Sequence, residues 1–506
     1  MATTTPENIT QRDRAPARAP VIPLVIDTLS QCNKSSQQTT PPITPPRSRS
    51  EDEIEELQDL KLSELDHITT DVEPLVAVIG CGYVGAHLVN IFSRHFNVMG
   101  FDVSERQLGK ARAEFRYPAS RVTFTLDPKN LGKATHFLVS VPTLLQADKT
   151  IDTTAIRSAL SSIALYARPG STIVIESSVA VGMTRKLVGP MARERGFFAG
   201  MSPERVDPGR IEPVIKAIPK IVSGLDDEVP GSLDAIVKLY SRVFDTVIPV
   251  TKPETAEMTK LYENCQRMLN IAYANEMADA CSAHGINPFE VCRAAATKPF
   301  GYMPFTPSLG VGGHCIPVNP YYLLSNNSFP LLQAATERMW QRPAEIGQRV
   351  IDSILEGPVG KAVKPCKPQP EKRDDQSVVS PDEKATGFGS KLQDGTGLQE
   401  RYRAKAPRCK VLVVGVGFKA GQSTMSNSPG QKLIQKLHDS DVVDVAWADA
   451  LVEQSAIPHI PRLGMDHWNR ENLEGFDIII VAFRQRFMDF GLLDDLIGVK
   501  IEMWCP

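Results

Sequence analysis

The chain has 506 residues, more than one compact core holds, so two or three domains are expected. Apolar residues make up 42% and the net charge is −3 with no basic block, which argues against a nucleic-acid partner. The longest apolar runs, such as Ile478 to Phe483, fall far short of the ~20 residues of a membrane span, so no membrane partner is expected. Met1 to Pro20 has no apolar segment of a secretory signal, and Glu7 and Asp13 argue against a transit peptide. The cysteines are scattered without CxxC spacing, which points to reduced thiols in the cytoplasm and to no metal site.

In chain order, residues 1–72 stand apart. Met1 to Ser50 is rich in Pro, Ser and Thr and poor in large apolar residues, so it reads as a disordered tail. The acidic stretch Glu51 to Asp66 follows. Its Ile54, Leu57, Leu60 and Leu65 suit one helix face, so it is either a solvated spacer or a docking helix. Strand-like runs then alternate with helical stretches: Leu75 to Ile79, Asn97 to Phe101, His136 to Val141, Thr172 to Ile175 and Lys220 to Ser223. That alternation implies βαβ units and a parallel sheet, here over residues 73–249. Pro253 to His284 reads as one long helix, capped by Thr251 and stopped by Gly285, inside a central region 250–345. After a helix end from 346, residues 357–407 are charged and punctuated by prolines, an insertion far longer than the usual ~12-residue loop and expected to be disordered. Structure resumes at Lys410, and the strand runs Val411 to Val414 and Asp477 to Phe483 mark a smaller Rossmann-like unit over 408–506. The fold class expected is α/β, with two Rossmann-like doubly wound domains joined by a long central helix.

The first motif is Gly80-Cys-Gly82-Tyr83-Val84-Gly85, a GxGxxG turn between a strand and a helix. Gly80 permits the turn, Gly82 admits a pyrophosphate to the backbone, and Gly85 allows close helix packing. The helix N-terminus then faces the phosphates. A second strand ends at Asp102, where a carboxylate accepts hydrogen bonds from a ribose and repels a 2′-phosphate, so the cofactor expected is NAD rather than NADP. Three further motifs are weaker alone. Ser140-Val-Pro-Thr143 ends a strand, and alone it is a loop with a proline. Ser202-Pro-Glu204-Arg205-Val-Asp207 precedes a strand, and alone it is a charged turn. Lys260 and Asn264 share one helix face, and alone they are an exposed pair. Gly310-Val-Gly312-Gly313-His314-Cys315 places a glycine-flanked cysteine just before a helix start, where a thiolate nucleophile is favoured.

With these motifs in order, the chain resembles the UDP-glucose/GDP-mannose dehydrogenase family. The resemblance includes Glu176 to Val179, Thr297 to Phe305 and Val411 to Lys419, and is nearest the UDP-N-acetylhexosamine 6-dehydrogenase branch. It implies an oxidoreductase of polysaccharide biosynthesis that takes the C6 alcohol of a UDP-hexose or UDP-N-acetylhexosamine to the carboxylate with two NAD. Cys315 would hold the carbon as a thiohemiacetal and then a thioester, Lys260 with Asn264 would hold the oxyanion, and Glu204 with Thr143 would orient the hydrolytic water. Asn319 stands at a further catalytic position. The resemblance further implies Tyr83, Val84, Thr143 and Glu176 at the cofactor, and Arg205, Arg267, Phe305, Gly312, Phe418 and Lys419, beside Glu204, Lys260 and Asn264, at the nucleotide sugar. It implies a homodimer built on the long helix, and a C-terminal unit that holds the UDP moiety.

The chain departs from the family pattern at named places. Asn319 replaces the usual Asp, Thr424 and Ser426 occupy the usual Asp and Arg positions, and Phe305-Thr-Pro-Ser-Leu replaces Phe-Tyr-Pro-Gly-Pro. Asn319 and Ser426 favour a second reading, a non-catalytic nucleotide-sugar or NAD-binding relative, which the intact Cys315, Lys260, Asn264 and Glu204 oppose. A two-electron hydroxyacid dehydrogenase, the third reading, leaves Cys315 and the second Rossmann unit unexplained.

Overall fold

The computed structural model of the protein describes residues 73–115, 121–207, 210, 212–356 and 408–505. The tail 1–72 and the insertion 357–407 lie outside the described residues.

The first unit of structure follows from short apolar runs that alternate with amphipathic helices. In chain order these are β1 (Leu75–Ile79), α1 (Tyr83–Phe92), β2 (Asn97–Phe101), α2 (Glu105–Glu114), β3 (Val122–Thr125), β4 (His136–Val139), the small hairpin β5 (Leu144–Leu145) and β6 (Ile151–Asp152), α3 (Thr154–Tyr166), β7 (Thr172–Ile175), α4 (Met183–Arg195), β8 (Phe198–Met201), β9 (Lys220–Gly224), α5 (Ser232–Tyr240) and β10 (Val247–Pro249). They build an eight-stranded sheet of order β10-β9-β8-β7-β4-β1-β2-β3. Successive side chains of a strand point to opposite faces, so runs such as Val76-Ala-Val-Ile79 serve two cores. Ala77, Ile79, Met99, Phe137 and Ile173 pack on one face, and Val76, Val78, Val98, Leu138 and Val174 on the other. The sequence implied a parallel sheet. The sheet is parallel from β3 to β8, but β9 runs antiparallel to β8, with Gly200 opposite Gly224 and Met201 opposite Ser223. Eighteen residues, 202–219, separate β8 from β9, and among the described ones the only helical piece is the three-residue turn Ile215–Ala217, too short to cross the sheet, so the chain reverses instead of crossing over.

The long helix forms as expected: α6 (Pro253–Ala283) has 31 residues and is followed by Gly285 at φ 67°. Its N-cap is Lys252, not Thr251, and no side chain caps it. A residue before proline is pushed to extended backbone, and Lys252 at φ −162° and ψ 158° obeys that rule, so the helix begins at the proline. Next come α7 (Pro288–Ala295), α8 (Asn319–Leu324) and α9 (Pro330–Glu356). Leu261, Met268, Val318, Tyr322, Leu332 and Met339 form the core between these helices. Among the described residues no helix is long and apolar enough to cross a membrane.

The C-terminal unit comprises β11 (Cys409–Val414), α10 (Pro429–His438), β12 (Val443–Ala448), α11 (Arg470–Leu473), β13 (Ile478–Val481) and β14 (Lys500–Met503). Its four strands are parallel, in the order β12-β11-β13-β14. Val411 and Val413 face one core, and Leu412 and Val414 the other. The fold is thus α/β, with two Rossmann-like sheets and a long helix between them in the chain.

Candidate active site

The glycine turn is built by the sheet. Gly80 leaves β1 at φ 89°, in the left-handed region that favours glycine. A Cβ on Gly85 would stand 1.8 Å from the Gly80 carbonyl oxygen, so α1 and β1 approach as closely as only glycine allows. A Cβ on Gly82 meets nothing within 4 Å, and no side chain caps α1 there. The mouth of the turn is therefore open, with first-turn N–H groups available to an anion, as a pyrophosphate requires. Tyr83 is exposed with its ring edge-on to His87 at 4.6 Å, and Val84 is half-buried behind it. Asp102 Oδ2 accepts from the Cys81 N–H at 2.7 Å and Oδ1 from the Ser104 N–H at 2.8 Å. Each oxygen keeps a second lone pair for a ribose hydroxyl.

A second group gathers at the carboxyl ends of β4, β7 and β8, where open α/β sheets bind ligands. Thr143 Oγ1 donates to the Ser178 carbonyl at 2.8 Å, and the Thr143 carbonyl accepts from the Tyr322 hydroxyl at 2.6 Å. Burial pushes the Tyr322 phenol up to about 12, so it stays a donor. The Cys315 carbonyl accepts from the Asn319 N–H at 2.8 Å, and the Asn264 amide donates to Asn319 Oδ1. One helical turn before Asn264, the Lys260 ammonium donates to the backbone carbonyl of Glu204. Asn264 and Lys260 are buried on α6, and Asn319 is buried at the start of α8. Thr143, Cys315, Asn319, Asn264, Lys260 and Glu204, far apart in the chain, are thereby linked through hydrogen bonds and neighbouring helix positions.

Glu204 is held firmly: its Oε1 accepts from Arg205 N–H at 2.7 Å and Val206 N–H at 2.6 Å. Burial opposes its ionisation most strongly, but Lys220, Lys260 and those two N–H groups together hold the carboxyl below the usual range. Glu176 is fully buried. Its Oε2 accepts from Lys220 Nζ at 2.6 Å and its Oε1 from the Tyr240 hydroxyl.

Cys315 is exposed. Burial, aided by Asp102, pushes the Cys81 thiol up to about 12; burial alone does the same to Cys265, and burial with Asp477 to Cys409. The Cys315 loop rests on the C-terminal unit. Gly313 N–H donates to the Ser426 carbonyl at 2.8 Å, and Asn427 Nδ2 donates to the Gly313 carbonyl at 2.9 Å. A Cβ on Gly312 would stand 2.8 Å from Phe418 Cβ, and one on Gly313 2.9 Å from the Phe418 ring. Of the two departures, Ser426 docks this loop through its backbone carbonyl, whereas the Thr424 carbonyl accepts from the Phe418 N–H at 3.1 Å inside the C-terminal unit.

Three cations converge on Asp207: Lys419 at 3.0 Å, and Arg267 and Arg210 at 3.7 Å. Arg205 turns away, donating to the Pro219 carbonyl at 2.8 Å and to Glu263 at 2.6 Å. Phe305 is half-buried, and its carbonyl accepts from the Cys292 thiol at 3.7 Å, which ties it to α7. Two residues escaped sequence reasoning. One is Lys220. The other is Glu257, whose buried carboxylate accepts from the Gly182 and Thr184 N–H groups, at 2.5 and 2.8 Å, and so ties α6 to the start of α4. The only signal for Glu257 was its place one turn before Lys260.

Residues 75–244 match the family model described as UDP-glucose/GDP-mannose dehydrogenase family, NAD binding domain, and residues 254–338 match that family's central domain. The UDP-N-acetyl-D-glucosamine 6-dehydrogenase of Pseudomonas aeruginosa is 36% identical over 267 residues, which cover 49% of this chain and 62% of that protein. The UDP-N-acetyl-D-glucosamine 6-dehydrogenase of Salmonella typhi is 30% identical over 314 residues, 58% of this chain and 72% of that protein. The solved structure of a UDP-D-ManNAc dehydrogenase from Pyrococcus horikoshii shares the fold, with a TM-score of 0.63 and 22% identity, over 85% of this chain and 99% of that one.

Proposed function

This chain belongs to the UDP-glucose/GDP-mannose dehydrogenase family, and we propose that it is an NAD-dependent nucleotide-sugar 6-dehydrogenase that carries a C6 alcohol to the carboxylate. The observation that carries the proposal is the hydrogen-bonded path from Cys315 through Asn319 and Asn264 to the helix of Lys260, and from Lys260 to Glu204. In this reading residues 73–249 bind NAD, 250–345 supply the central helices and the cysteine loop, and 408–506 hold the UDP moiety.

When bound, NAD supplies the hydride acceptor. The chain's own residues do the rest. The Cys315 sulfur bonds to the aldehyde carbon, and the resulting oxyanion needs donors that Lys260 and Asn264 provide from one face of α6. Glu204, ionised in the neutral range, takes a proton from the water that cleaves the thioester, and Thr143 helps to place that water. Lys419 and Arg267, both at Asp207, stand ready for substrate phosphates. The experiment is NADH formation against a panel of UDP- and GDP-sugars. At least one UDP-hexose or UDP-N-acetylhexosamine is expected to give NADH, and silence across the panel would leave the chain a non-catalytic binding relative.

Asp102 sets the cofactor. Its carboxylate closes the glycine turn and faces the space a ribose would occupy, so a 2′-phosphate meets a negative charge. By calorimetry the wild type is expected to bind NAD more tightly than NADP by about tenfold or more, near 1.4 kcal/mol. Asp102→Ala is expected to weaken NAD and narrow the gap; equal wild-type affinities would refute the role.

A homodimer is part of the same proposal. Met258, Tyr262, Tyr273 and Met277 are exposed along one face of α6. A stripe of large apolar side chains on a 31-residue helix is what a second copy would cover.

A further inference from the structure

Lys220 has no part in the steps above, yet it lies inside the protein beside Glu204, with 3% of its surface exposed. The reversal of β9 puts it there. Had β9 run parallel to β8, its first residue would lie at the far end of the sheet. Antiparallel pairing sets it instead beside the carboxyl end of β8, from which Ser202, Pro203 and Glu204 lead away.

Its ammonium makes three contacts. It donates to Glu176 Oε2 at 2.6 Å and to the Pro203 carbonyl at 3.3 Å, and it stands 3.7 Å from Glu204 Oε2. A structural ion pair would need only the first. The other two fall on the backbone just before Glu204 and on the Glu204 carboxylate, whose Oε1 is fixed by the Arg205 and Val206 N–H groups. Glu176 is in turn anchored by Tyr240. An ion taken out of water is costly unless paired, so this chain keeps a buried cation only with carboxylates around it.

We propose that Lys220 is a positioning residue for Glu204, anchored by Glu176 and Tyr240, and that it keeps the Glu204 carboxylate aimed and ionised for thioester hydrolysis. This rests on the dehydrogenase reading for the reaction, but not for the geometry. The groups that face Glu204 are Lys220 from β9, Glu176 after β7, Tyr240 from α5, Lys260 from α6, His87 from α1 and its neighbour Arg205. Among them burial is opposed chiefly by Lys220 and then Lys260. A carboxyl held low is ionised at neutral pH and loses its charge only as pH falls through its own pKa. Without Lys220, burial drives that point upward.

The test is an infrared pH titration of the full-length protein, with Glu204→Gln assigning the carboxyl band. In Lys220→Met the Glu204 midpoint is expected to rise by about one pH unit or more, and Lys220→Arg is expected to restore most of it. The double variant Lys220→Met/Glu176→Gln removes the pair as a neutral unit, leaves no unpaired buried charge, and is expected to shift the midpoint in the same direction. In turnover the acidic limb of kcat is expected to move with it, whereas a purely structural role would lower kcat equally at every pH. An unmoved midpoint in either folded variant overturns the proposal. Because the titration needs no turnover, silence with every nucleotide sugar would sink the dehydrogenase reading while the midpoint still decides the role of Lys220.

Discussion

Cys315→Ser is expected to lower kcat for carboxylate formation on the order of 10³-fold or more, with NAD affinity and melting temperature unchanged. The sulfur is exposed, so the substitution removes nothing from a core. The loop is held by backbone hydrogen bonds from Gly313 to Ser426 and by the fit of Gly312 and Gly313 on Phe418, none of which involves the thiol. What is lost is a soft nucleophile: a hydroxyl in the same place is far less ionised and has no partner among the contacts of the loop that would activate it. One hydride step can survive the change, because it needs no covalent bond to the chain. Quench analysis is therefore expected to find NADH without uronate. Two NADH per sugar at the wild-type rate from Cys315→Ser would rule out the thioester route.

Asn319→Asp is expected to speed the hydrolytic phase by up to on the order of 10²-fold, the low end for a general base. Asn319 is 2% exposed, accepts from the Asn264 amide, and donates its own N–H to the Cys315 carbonyl. An amide has the shape of a carboxylate but takes no proton at neutral pH. The oxidation steps use Cys315 and Lys260, whereas thioester cleavage depends on Glu204 as base, without the second acid that an aspartate at 319 would add. The wild type is thus expected to release a burst of about two NADH per active site and then turn over slowly. The acyl adduct on Cys315 should be visible by intact-protein mass spectrometry. An aspartate at 319 would keep the Asn264 hydrogen bond, and burial would raise its pKa toward neutrality, where a base works best. If Glu204 alone cleaves the thioester as fast as it forms, there is no burst and Asn319→Asp changes little.

The legible parts of the fold are those whose chemistry is local. Leu75–Ile79, Thr172–Ile175 and Ile478–Val481 are buried on both faces, so they read as continuous apolar runs. β3 and β10 sit at the sheet edges, half-exposed, and carry no such run. The glycine turn and Cys315 announce themselves because glycines are needed where backbone and ligand approach closely. Lys220 did not, because a lysine that opens a strand reads as a surface residue. Only the reversal of β9 and a partner 44 residues away, Glu176, make it an interior cation. Glu176 was expected at the cofactor from its motif, and its tie to Lys220 and Tyr240 is likewise tertiary. The Asp207 cluster, which joins Lys419 to a residue 212 positions away, is equally invisible to spacing.

A double oxidation on one cysteine is measured most directly as the ratio of NADH formed to sugar nucleotide consumed by the wild-type protein. Two NADH per sugar, with the C6 carboxylate as product, is the expected result. A ratio of one with an accumulating aldehyde, or no NADH while the sugar nucleotide still binds, would contradict it.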